Sequence, residues 1–190
     1  MTNQLSPDLT RILVSEVTIQ QHVWELAQQI SADYAGVERL YIVGVLKGAF
    51  IFLADLCRQL TIPHIVDFMA LSSYGKAGTI SGAVRLVMDL RDPIEGEHVL
   101  IVEDIVDQGH TLHYLVETLQ GRQPASLKTC ALVRKERNHT AFTVDYLGFE
   151  IPDVWVVGYG LDYAERFRTL PYIAELSSHF SQEHKLLANP

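Results

Sequence analysis

The sequence predicts an α/β fold, a parallel sheet of four or five strands with helices on both faces. Three observations carry this expectation. Two short apolar runs, LYIVGV at 40–45 and VLIV at 99–102, have the length and β-branched content of strands buried on both faces. Each is followed within a few residues by a glycine-containing turn and then an amphipathic segment, so strand, turn and helix recur in the order a parallel sheet needs. The chain has 190 residues, 48% hydrophobic and 20% charged, which suits one domain with a full core.

Residues 1–15 are mixed and give no element. From 17 to 30, apolar side chains at Val17, Ile19, Val23, Leu26, Ala27 and Ile30 mark a helix, which 31–36 continues or ends. The strand at 40–45 runs into Leu46-Lys47-Gly48-Ala49 and a helix over 50–56. A third strand spans 65–73. Residues 74–82, YGKAGTISG, lack a core pattern, and a strand returns at 85–90. Such a loop is either a long hairpin or a lid over a site. After the turn at 91–96 comes the stretch that organises the chain, HVLIVEDIVDQGHTLHYLVETL at 98–119. Beyond it lie a loop at 121–124 and a strand at 126–133, which delivers Arg134 and Lys135 at its end. The segment GFEIPD at 148–153 leads into VWVVGYGLDY at 154–163, and the tail from 171 carries Tyr172, Ile173, Leu176 and Phe180 before turning polar.

The 98–119 stretch is an apolar strand, an acidic tip (Glu103, Asp104, then Asp107), a short turn (Gln108, Gly109, His110, Thr111) and a helix with Leu112, Leu115, Val116 and Leu119 on one face. A turn that feeds a helix leaves backbone N–H groups unpaired, and the helix dipole favours an anion there. Gly109 lets the backbone approach a ligand, and Thr111 adds a hydroxyl. Acids beside a phosphate are consistent with a divalent cation or with a grip on ribose hydroxyls. The ligand implied is a sugar phosphate with a metal. The same order also occurs in α/β proteins that bind no phosphate, so spacing alone leaves both readings open. No GxxxxGK[ST] run and no GxGxxG run is present.

Composition narrows the function. A net charge of −8 argues against general nucleic-acid binding. No apolar run approaches the ~18 residues of a membrane span, and the first residues lack a signal-peptide pattern. Two cysteines in apolar segments, Cys57 and Cys130, fit buried thiols in a reducing compartment, so a cytoplasmic location is expected. The histidines form no metal-like pair, and no zinc site is expected.

VLIVEDIVDQGHT resembles the phosphoribosyl-diphosphate signature of the type I phosphoribosyltransferases, and the Glu-Asp pair followed by Asp107 is similar in particular to the hypoxanthine-guanine branch. GFEIPD with VVGYGLDY is a second match to that branch, and the resemblance covers roughly 40–170 of a single domain spanning 1–190. It departs at Gln108, where the family usually has Thr or Ser; one hydroxyl to the 5′-phosphate is lost and weaker phosphate binding is expected. The fold implied is a type I phosphoribosyltransferase-like parallel sheet flanked by helices. A small hood, from the N-terminal region and the C-terminal third, and a flexible lid loop complete it.

The resemblance also implies roles. Glu103 and Asp104 would hold the ribose hydroxyls directly or through Mg²⁺, Asp107 would serve the proton on purine N7, and Gln108, Gly109, His110 and Thr111 would anchor the 5′-phosphate. Leu46, Lys47 and Gly48 would face the diphosphate, with a Leu-Lys peptide that the family often holds in cis; Arg168 would reach the same group. Ser73 and Tyr74 would begin the lid. Lys135, in preference to its neighbour Arg134, would read the 6-oxo group, Trp155 would stack on the base, Val156 would read its edge, and Asp162 could hold a second metal. The partners implied are phosphoribosyl diphosphate and a 6-oxopurine, with no nucleic acid and no membrane, in a homodimer or homotetramer. Two alternatives stay open. One is a non-enzymatic sensor, like the RNA-binding regulators of pyrimidine operons with the same cradle. The other is a transferase for another base such as xanthine, adenine or orotate.

Overall fold

A computed structural model of the chain describes residues 5–74, 83–136 and 143–177. The two runs that are apolar on both faces lie at the centre of a sheet: β2 (Leu40–Leu46), in which every residue but the last is buried, pairs in parallel with β5 (His98–Val106). On the far side of β2 lie β3 (His64–Tyr74) and then β4 (Ala83–Met88); on the far side of β5 lie β6 (Ser126–Lys135) and β7 (Tyr146–Ile151). The order is β4-β3-β2-β5-β6-β7. Five of these strands are parallel, as expected, and β4 closes the edge antiparallel to β3.

Side chains alternate across each strand, so each face receives its own layer. One face takes α1 (Glu16–Asp33) and α2 (Phe50–Gln59): Ile19, Ile30, Phe52 and Leu56 pack with Ile42, Leu100, Val102 and Leu132. The other takes α3 (His110–Gln120), whose Leu112, Leu115 and Leu119 meet Tyr41, Val43, Val99 and Ile101. Helix α1 begins where Ser15 Oγ accepts the Thr18 N–H at 3.2 Å. No helix among the described residues is long and apolar enough to cross a membrane.

A second, three-stranded sheet was not legible as strands. β1 (Leu9–Val14) and β8 (Val156–Val157) both pair antiparallel with β9 (Ile173–Leu176). It joins the N-terminal region to the C-terminal third, where a hood was expected. The lid at 75–82, and the side chains of Ser73 and Tyr74, lie outside the described residues; the backbone of both residues completes β3 opposite Val84 and Ala83.

Strand β3 carries a buried acid. Asp67 Oδ2 accepts the Tyr41 hydroxyl at 2.7 Å and the Arg91 N–H at 2.8 Å, while Oδ1 accepts the Phe68 N–H at 2.8 Å. Burial pushes this carboxyl up, but those donors outweigh it and hold the group below its usual range. A carboxyl depressed by folding adds stability above the unfolded pKa, and the gain is lost as pH falls through the folded pKa. Asp67→Asn places an amide donor against donors. The expected loss is about 2 kcal/mol at neutral pH, or ~4–8 °C in Tm, narrowing in acid as the wild type loses its advantage. Thermal melts from pH 7 down to 3 check this; an equal gap at every pH would contradict the charge-based account.

Candidate active site

The C-terminal ends of β2, β5 and β6 meet at one edge of the sheet, where open α/β folds bind ligands. β5 continues past the four apolar residues expected to form it, because β6 stays in register with it as far as Val106↔Arg134. Glu103 and Asp104 therefore lie within the strand, not beyond it, each only 8% exposed. Burial and the Asp104 charge push Glu103 well above the usual carboxylate range, and burial also raises Asp104. Glu103 Oε2 has no hydrogen-bond partner among the described residues. Two buried acids, one with an unused oxygen, suit a hard cation. Among the described residues no group of three or more His, Cys, Asp or Glu side chains could enclose one. The protein would thus supply one or two carboxylates and a ligand's oxygens the rest, as Mg²⁺ commonly takes them.

Gly48 presses on this pair. A Cβ there would fall 1.6 Å from Asp104 Oδ2, so only glycine lets the turn after β2 lie against the acid. The Leu46–Lys47 peptide just before it is cis. Gly160 packs on the same turn, since a Cβ there would lie 2.0 Å from the Gly48 carbonyl oxygen.

Beside Gly160, Arg168 Nη1 donates to the Gly160 carbonyl at 2.9 Å and Nη2 pairs with Asp162 Oδ1 at 2.8 Å. Its Nε is buried and has no partner among the described residues. Lys47 reaches the same place, with Nζ 2.9 Å from Glu165 Oε1. Lys47, Gly48 and Arg168 are thus brought together, with the Arg168 charge acting on Asp104. Asp162 Oδ2 accepts the Glu165 N–H at 2.7 Å, so both of its oxygens are engaged by the protein.

A cleft of about 200 Å³ opens next to Asp104, lined by Ile105, Asp107, Lys135, Trp155, Val156, Leu161 and Asp162. Strand alternation turns the two basic residues at the end of β6 to opposite faces. Arg134 pairs with Glu150 of β7 at 2.6 Å, whereas Lys135 is 8% exposed and turns into the cleft. Its Nζ lies 3.3 Å from Asp107 Oδ2, 3.6 Å from Asp153 Oδ1 and 5.6 Å from the Trp155 ring centre. Trp155, 55% exposed, is braced edge-on by Tyr163 with ring centres 5.8 Å apart. A flat ring could lie on Trp155 with a hydrogen-bond donor at Lys135 and an acceptor at Asp107. One residue on, the turn Gln108–Thr111 enters α3 through Gly109, whose φ of +78° is the left-handed conformation glycine takes readily. The first turn of α3, with its leading N–H groups free of helix partners, thus begins three residues after Asp107 of the cleft.

Three comparisons bear on this geometry. Residues 14–164 match the family model described as phosphoribosyl transferase domain. The chain belongs to the phosphoribosyl transferase family. It is 47% identical to a hypoxanthine-guanine phosphoribosyltransferase of Dictyostelium discoideum over 87% of this chain and 94% of that one. It is 46% identical to the Bacillus subtilis hypoxanthine-guanine phosphoribosyltransferase over 89% and 94%. A solved Trypanosoma cruzi hypoxanthine phosphoribosyltransferase superposes with a TM-score of 0.89 at 42% identity, covering 96% of this chain and 99% of that one. Another structure of the T. cruzi enzyme, in complex with the product IMP, gives 0.85 at 42% identity over 93% and 98%.

Within the phosphoribosyltransferase fold, three neighbours of the cleft were missed from sequence. Asp153 ends the GFEIPD run and could have been marked as an acid at a strand's C-terminal end. Tyr163, the brace of Trp155, carries no local signal. Glu165, paired with Lys47, looks in sequence like an ordinary surface acid.

Proposed function

We propose that the chain transfers the 5-phosphoribosyl group from phosphoribosyl diphosphate to hypoxanthine and guanine, giving IMP or GMP and diphosphate, in purine salvage. The observation that carries this reading is the placing of Lys135 and Asp107 together beside the Trp155 face. An ammonium donates only, so it pairs with a 6-oxo group and rejects a 6-amino group. Relatives named for the same reaction, and a neighbour solved with IMP, support it.

The base stacks on Trp155, with its edge toward Val156. As N9 attacks C1′, the C1′–oxygen bond to diphosphate breaks, and Asp107 accepts or hydrogen-bonds the proton on N7. The Gln108–Thr111 turn anchors the 5′-phosphate through backbone N–H groups and the Thr111 hydroxyl, without the hydroxyl that position 108 usually supplies. Lys47, the Gly48 backbone and Arg168 hold the diphosphate. Glu103 and Asp104 hold the ribose hydroxyls and would hold Mg²⁺, which when bound neutralises charge developing on the leaving group. A second cation at Asp162 requires its contacts to Arg168 and to the Glu165 N–H to yield. Ser73, Tyr74 and the loop after them close over the centre and exclude water.

The same reading takes residues 1–190 as one domain, its core at about 40–170, acting in the cytoplasm, where the free thiols Cys57 and Cys130 suit reducing conditions. It also takes the chain as a homodimer or homotetramer, a fate that suits the exposed apolar side chains Val66, Val87 and Met88 at the β3–β4 edge.

Lys135→Met tests the assignment. Loss of one charged hydrogen bond, about 1.5–3 kcal/mol, should raise KM for hypoxanthine ~10- to 100-fold and leave KM for phosphoribosyl diphosphate within a few-fold. An unchanged KM for hypoxanthine would remove Lys135 from base recognition.

A further inference from the structure

The mechanism above uses Lys47 and Arg168 but leaves unexplained why a carboxylate already joins them. Glu165 spans the two cations, with Oε1 2.9 Å from Lys47 Nζ and Oε2 3.1 Å from Arg168 Nη2. One oxygen for each cation is also how a bridging phosphate group would divide itself. We propose that Glu165 is an internal competitor of diphosphate: its carboxylate occupies the anion position between Lys47 and Arg168 and must leave for diphosphate to bind. The proposal rests on the reading of Lys47 and Arg168 as the diphosphate subsite.

The loop is shaped to put the carboxylate there. Ala164, Glu165 and Phe167 all have positive φ, at 50°, 62° and 73°, a run of left-handed non-glycine residues that local sequence does not favour. Asp162 secures the loop by accepting the Glu165 N–H at 2.7 Å. The side chain is mostly in solvent, with 66% of it exposed. The two cations hold its carboxyl below the usual range, so it is charged throughout the neutral range.

Exposed ion pairs are individually weak. Diphosphate, with several charges, therefore displaces Glu165, but its apparent affinity is lowered by the population of the closed contact. The same contact refills the subsite as diphosphate departs, which favours release of the product. Glu165 thus sets diphosphate affinity and takes no part in base recognition.

The test is calorimetric titration of the full-length chain with inorganic diphosphate and Mg²⁺ at fixed ionic strength, for wild type, Glu165→Gln and Glu165→Ala, each checked for folding by thermal melt. Diphosphate should bind three- to tenfold tighter to both variants. Its product-inhibition constant should fall by the same factor, while KM for hypoxanthine is unchanged. Equal or weaker binding in both variants, with wild-type binding intact, overturns the proposal and leaves Glu165 as a loop-shaping residue. No diphosphate binding by the wild type overturns the subsite reading itself, and the proposal with it.

Discussion

Asp107→Asn lowers kcat by about two to four orders of magnitude while the dissociation constant for phosphoribosyl diphosphate stays within a few-fold. The magnitude is that of a positioned proton acceptor. Asp107 follows the last residue of β5 and lines the cleft with Lys135 and Trp155, just before the Gln108–Thr111 turn. Asn keeps the shape and one acceptor oxygen, so base and sugar phosphate still settle in place, but an amide takes no proton. Steady-state kinetics combined with equilibrium titration of phosphoribosyl diphosphate separates the two effects. A kcat near the wild-type value would remove Asp107 from proton chemistry.

Gly48→Ala is expected to cut kcat/KM by about 100-fold or more, the scale of a displacement near 1 Å in a catalytic constellation. The new methyl would lie 1.6 Å from Asp104 Oδ2 and 2.4 Å from its Cγ, so the acid or the turn must move. The acid has little room, being 8% exposed, and the turn is held from the other side by Gly160. On the proposed reading, the variant thus shifts the acidic pair away from the ribose and the Lys47 backbone away from the diphosphate together. Both substrates' KM values should rise unequally, with phosphoribosyl diphosphate affected more than the base. Activity within threefold of wild type would show that the turn and the acid need not touch during the reaction.

What was legible in the sequence is what depends on neighbours in the chain. The double-sided apolar runs gave β2 and β5, and the period of Leu112, Leu115 and Leu119 gave α3. The Gly48 and Gly109 turns fell where a strand must hand over to a helix. What was hidden depends on pairing across distance. β1 and β9 meet through Leu9↔Leu176 and Val14↔Ile173; β1 is mostly exposed between its two buried ends, and β9, though largely buried, is only four residues long. Lys47 and Glu165 are 118 residues apart, and the acid meets the lysine in a turn with left-handed backbone at 164, 165 and 167 that local sequence does not signal. That Lys135 rather than Arg134 faces the cleft follows from the register of β6 against β7, because two adjacent residues on a strand occupy opposite faces. The acidic pair was recognised, but its burial inside β5 was not: the ladder with β6 carries the strand past residues whose polarity suggested a tip.

The most direct test of the central claim is an initial-rate assay with phosphoribosyl diphosphate and Mg²⁺ against hypoxanthine, guanine, xanthine, adenine, orotate and uracil in turn. Turnover of hypoxanthine and guanine, with none of adenine, orotate or uracil, is the predicted result, and the rate with xanthine places it among the 6-oxopurines. Absence of turnover with every base, while phosphoribosyl diphosphate still binds, would contradict the enzyme reading and favour a sensor that keeps only the phosphate cradle.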